Sequence, residues 1–164
     1  MFIPMTLQLL DKELENIQLA LTRIPDAALW QRQREGTNSI GNLCLHLAGN
    51  EYHNIVSSIG GHPYVRERSA EFLAENGLTC REVSGRLIEV RQKSRQVLAA
   101  LSEDDLSRRV NVHYPPEAGI ASFSKRMMEL LYHVTAHYSY HTGQIMYMTR
   151  LFQEADRHLL KWRH

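Results

Sequence analysis

Residues 133–145 read His133-Val-Thr-Ala-His137-Tyr-Ser-Tyr-His141-Thr-Gly143-Gln144-Ile145, with three histidines recurring at steps of four. On an α-helix, side chains at i and i+4 stand over one another, their Cβ atoms about 5–6 Å apart. Two imidazoles so placed reach one transition-metal ion at the usual metal–nitrogen distance of about 2.0–2.1 Å. A third converges poorly, because each step of four drifts by about 40° around the axis. The spacing therefore favours a pair from this helix and a ligand from elsewhere. Core histidines that pack one edge and make one hydrogen bond are the alternative. No glutamate follows His137, so a zincin-type mechanism is not supported. Gly143 is expected to let a backbone or a ligand come close.

This stretch lies in a long helix expected to begin near Ser122 or Ser124 and to run to about Phe152. Three more helices are legible outward from it. The first spans about Met5 to Arg23, with Leu7, Leu10, Leu14, Ile17 and Leu21 at steps of three and four. A second begins at Asn38 or Ser39, both good N-caps, and stops at Gly60-Gly61 and Pro63 near Ile59. A third opens at Thr79, which with Glu82 fits a capping box, and ends near Leu101. Short turns are expected around 26–31 and 102–106, and an extended connection from His62 to Leu78. Arg109 to Tyr114 reads as a brief strand closed by Pro115-Pro116. The fold class that follows is all-α, a four-helix bundle with a crossover where a connection is long.

The second helix offers the missing ligand. His46 sits among Leu43, Cys44, Leu45 and Leu47, and Asn50 and His53 share its face. Facing histidines on two antiparallel helices make a workable three-nitrogen cage.

At 164 residues the chain suits one domain, spanning 1–164. Nineteen basic against eighteen acidic residues argue against nucleic acid or an anionic membrane as partner. Cys44 and Cys80 form no CxxC pair and read as free thiols. Met1 to Leu10 has no basic leader, Asp11-Lys12-Glu13 cuts its apolar run, and no window approaches the roughly 18 apolar residues of a membrane span. A cytoplasmic location is the expectation.

The His137–Ile145 stretch resembles the C-terminal helix motif of the DinB-like (DinB/YfiT-type) metalloprotein superfamily. Residues 38–50, Asn-Ser-Ile-Gly-Asn-Leu-Cys-Leu-His-Leu-Ala-Gly-Asn, resemble its second helix. Gly60-Gly61-His62-Pro63, followed by residues 66–72, is similar to the linker of an uncharacterised branch. The resemblance implies a four-helix bundle holding a divalent transition metal, often zinc or nickel, through His46, His137 and His141. It implies a neighbouring role for His133, with Glu129 one turn earlier to orient it. Characterised members include transferases and isomerases that use low-molecular-weight thiols.

The leading expectation is therefore a metal-dependent S-transferase that brings a small thiol to an electrophilic small molecule, with Asn50, His53 and Gln144 lining the pocket. Metal-assisted hydrolysis ranks second for want of a glutamate base, since Glu51 lies about 140° around the helix from His46. A non-catalytic metal-binding or homodimerisation module, pairing through Tyr147, Met148, Leu151 and Phe152, is the third reading.

Overall fold

The computed structural model describes residues 1–153 and residue 159; the rest of the expected 1–164 domain span lies outside the described residues. Helix α1 (Phe2–Leu21) buries Leu10, Leu14, Ile17 and Leu21 along one face. It starts three residues earlier than expected, because Pro4 falls in a first turn whose N–H groups have no helical partner to lose. A four-residue helix α2 (Asp26–Leu29) follows. Helix α3 (Ile40–Glu51) is capped by Ser39, whose Oγ accepts the Asn42 N–H at 3.1 Å. The chain continues from Tyr52 to Ile59 with π-helical hydrogen bonding, and Gly60-Gly61 ends it, Gly61 at φ +72°.

The connection after Ile59 is not wholly extended, as its irregular polar pattern suggested. Residues Arg68–Leu73 form a short helix, α4. The buried Asn42 amide holds its C-terminal end, donating to the carbonyls of Glu71 at 2.9 Å and Ala74 at 2.7 Å. Helix α5 (Cys80–Ala99) opens on the expected capping box of Thr79 and Glu82. A 3-10 turn at Asp104–Ser107 leads to strand β1 (Arg109–Val112).

Residues 123–126, read as the start of the last helix, form strand β2 (Phe123–Arg126) instead. It pairs antiparallel with β1, Arg109 opposite Arg126 and Val112 opposite Phe123. A lone strand leaves its backbone groups unpaired, and β2 supplies the partner. Helix α6 (Met127–Phe152) then begins one residue beyond it.

Helix α1 packs on α5 and α6, and α3 packs on the same two. Leu10, Ile17, Leu47, Leu87, Leu131 and Ile145 meet in the buried cluster between them. In α3 and its continuation Glu51 pairs with Arg91 and Gly60 abuts Val97, so that helix and α5 advance in the same sense. His46 meets His137 while Glu51 meets Tyr138, which sets α3 against the middle of α6. Among the described residues the chain is all-α with one two-stranded sheet added. No helix among the described residues is long and apolar enough to cross a membrane. Both cysteines are free; burial pushes the Cys44 thiol upward and the Cys80 thiol to about 12, so neither is a reactive thiolate at neutral pH.

Candidate metal centre

His46 projects from the second turn of α3, and His137 and His141 from successive turns of α6. Nε2 of His137 lies 3.0 Å from Nε2 of His46 and 3.1 Å from Nε2 of His141. One ring nitrogen from each of the three falls within 4.8 Å of the others. The rings meet edge to face, with centroids 4.5–5.2 Å apart.

Hydrogen bonds on the far side of two rings decide what these nitrogens present to one another. Nδ1 of His141 lies 2.6 Å from Oε1 of Gln144, an acceptor, so that nitrogen carries the ring proton and Nε2 keeps its lone pair. Nδ1 of His46 lies 3.0 Å from Oε2 of Glu71, again an acceptor. Nδ1 of His137 is buried without a partner. The two α6 rings also resist protonation. Burial first, then the neighbouring histidines, brings His137 down to about 3. Burial likewise lowers His141, against the raising effect of Gln144. Three converging imidazoles, with those of His46 and His141 turning Nε2 lone pairs inward, are a donor set that fits a divalent transition ion.

The family follows from comparison with known proteins, for the DinB family profile matches residues 5–152. The chain belongs to the DinB family. No curated protein matches it. Among solved structures, this DinB protein resembles a conserved protein from Enterococcus faecalis, with a TM-score of 0.69 and 15% identity, over 91% of this chain and 95% of that one. It also resembles a DinB-like protein from Bacillus cereus, with a TM-score of 0.68 and 18% identity, over 89% of each chain. At these identities the likeness is one of fold.

The other expected site residues of this DinB protein divide between two places. Gln144 joins the cluster through His141. Asn50 is buried one turn beyond His46, its Oδ1 without a partner. His53, buried in the π-helical turn, belongs to another group: its Nε2 donates to the His113 carbonyl at 2.8 Å, and its ring meets Tyr64 and Tyr114. His133 stacks over His137 at 5.8 Å between centroids. Glu129 does not orient it; that carboxylate caps α6, accepting the Arg126 N–H at 2.8 Å and pairing with the Arg126 side chain. No part of the chain packs on Gly143, where a Cβ would meet open space. Close approach occurs at Gly49, where a Cβ would fall on the Glu71 carboxylate.

Glu71 and Arg66 are the functional neighbours that sequence reasoning missed. Arg66 grips Glu71 with a two-point fork, Nε to Oε1 at 2.6 Å and Nη2 to Oε2 at 2.8 Å, and both side chains are buried. Gly49, near the C-terminal end of α3, was an available signal, marking where another element presses on that helix.

Proposed function

We propose that this DinB protein is a one-domain, four-helix bundle with a crossover through residues 60–79, in which His46, His137 and His141 hold zinc or nickel. We propose further that it acts as an S-transferase on a low-molecular-weight thiol and an electrophilic small molecule. The observation that carries the reading is the convergence of three imidazole nitrogens whose far sides, at His46 and His141, face acceptors. A divalent ion bound by neutral ligands supplies the means to hold a thiol deprotonated at neutral pH. The chain's own residues do the rest: Gln144 and Glu71 orient their rings, and Asn50 offers a buried polar atom one turn along.

A groove of about 530 Å³ opens beside His141, walled by Leu43, Tyr140, Gln144, Tyr147 and Met148 and edged by residues 33 and 36–38. Apart from His141 its lining has no ionisable side chain other than the two tyrosines, which suits the uncharged body of an electrophile stacking on Tyr140 and Tyr147. Asn50 and His53 do not border it.

Hydrolysis stays second for a structural reason. The carboxylate nearest in sequence to His46 and the one bonded to it, Glu51 and Glu71, are both held in arginine forks, so neither is free to act as the base. The homodimer reading narrows, because Met148 is buried and Phe152 packs on the core, leaving Tyr147 and Leu151 exposed.

The test is elemental analysis, then turnover of 1-chloro-2,4-dinitrobenzene with a panel of small thiols by zinc- and nickel-loaded protein. About one equivalent of metal and conjugation above the apo background support the reading. Metal without conjugation favours a non-catalytic module, and no metal after reconstitution removes the site.

A further inference from the structure

The strap between the second and third long helices carries a residue that acts on the histidine cluster from behind. We propose that Glu71 is a positioning residue for His46, that Arg66 holds Glu71 in place, and that Gly49 is the clearance that lets the carboxylate reach the ring. The metal-binding part of this inference rests on the reading above; the part concerning the ring of His46 does not.

Oε2 of Glu71 receives two donors, Nη2 of Arg66 at 2.8 Å and Nδ1 of His46 at 3.0 Å. Nη2 of Arg66 also lies 3.1 Å from Nδ1, the longer of its two contacts, as expected for two donors gathered around one oxygen. An ionised carboxylate only accepts, so this arrangement places the ring proton on Nδ1. Nε2 is then left with its lone pair toward His137 and His141. Phe72, next on the strap, closes on the same ring at 4.7 Å between centroids. The strap cannot drift, because Asn42 holds its Glu71 and Ala74 carbonyls and Arg32 donates to the Phe72 carbonyl at 3.0 Å.

The arginine also sets the charge. A lone carboxylate behind His46 would add a negative charge to the cluster; paired with Arg66, Glu71 orients the ring while the pair stays neutral. Orientation by such an outer hydrogen bond is worth about 10–100-fold in metal affinity.

The experiment compares wild type, Glu71→Gln, Gly49→Ala and Arg66→Lys by two readouts. The first is the His46 tautomer in metal-free protein, from nitrogen-15 NMR of the imidazole. The second is the dissociation constant for zinc alone, with thermal unfolding of each apo protein recorded to separate folding defects. The wild type is expected to carry its proton on Nδ1. Glu71→Gln is expected to mix the two tautomers and weaken zinc by about 10–100-fold. Gly49→Ala keeps the carboxylate but displaces it, and should weaken zinc in the same direction. Arg66→Lys keeps the charge without the fork, and should fall between wild type and Glu71→Gln. An unchanged tautomer in folded Glu71→Gln, or zinc affinity within twofold of wild type in both Glu71→Gln and Gly49→Ala, overturns the proposal. Failure of the wild type to bind zinc sinks the metal site instead, and the tautomer readout then decides the positioning of His46 alone.

Discussion

Among the described residues two arginine–glutamate forks are buried, and they end differently. Arg91 grips Glu51 at 2.8 and 3.0 Å, and the third partner of that carboxylate is the Tyr138 hydroxyl, which donates at 2.5 Å. The Arg91 guanidinium also lies over the Tyr138 ring, 5.0 Å from its centroid. All three side chains are sealed among α3, α5 and α6, and burial together with Glu51 pushes the tyrosine well above its ordinary range, so its hydroxyl remains a donor. Arg66 grips Glu71 in the same way, but that third partner is an imidazole whose other nitrogen faces two more nitrogens. The first network runs on only to Asp11 of α1, through Arg91, and holds helices together. The second passes its order on to a cluster of inward lone pairs. One step along α6, from His137 to Tyr138, and five along α3, from His46 to Glu51, separate the two, because those steps turn each helix by about 100° and 140°.

The contrast can be broken most sharply at the ligands. His137→Ala is expected to abolish metal binding, from about one equivalent to none by elemental analysis, while Tyr138→Phe beside it keeps full stoichiometry. Equal metal loss in both would mean the two networks are one.

Next in size is the Arg91–Glu51 fork. Glu51→Gln leaves the buried Arg91 charge poorly compensated and should lower stability by about 3–5 kcal/mol in urea unfolding. Full stability would show that water or Asp11, 3.3 Å from Arg91, takes over. Tyr138→Phe removes one donor to the same carboxylate and should cost less, about 1.5–3 kcal/mol.

The smallest effect is on pH dependence. His53, His133, His137 and His141 are all lowered from 6.5, in each case first by burial. Below pH 6.5 the unfolded chain therefore binds protons that the folded chain refuses, and stability falls as pH drops through that value. The metal-free protein should melt at a lower temperature at pH 5.5 than at pH 7.5. An unchanged melting temperature between those two values would mean these rings are not held neutral by the fold.

The long helices were legible because their ends are local. Ser39 with Asn42 and Thr79 with Glu82 cap over three residues, and the apolar faces of α1 and α5 repeat at three and four. His137 and His141 were legible for the same reason, lying one turn apart. Strand β2 was not: residues 123–126 read as helix until β1, whose residues lie 11 to 17 positions before their partners, offers its edge at the Arg109–Val112 register. Nor was α4, six residues in an irregular polar stretch that stay in place because Asn42, 29 positions earlier, holds the Glu71 carbonyl.

By itself, then, the sequence determined the four long helices and two of the three clustered histidines as a pair. The meeting of His46 with His137 across 91 positions, and of His46 with Glu71 across 25, was decided by the tertiary structure. Caps and periodicity act between residues a turn apart and leave their mark in local order. Contacts between elements depend on how whole faces bury together, and no single stretch of sequence carries that information.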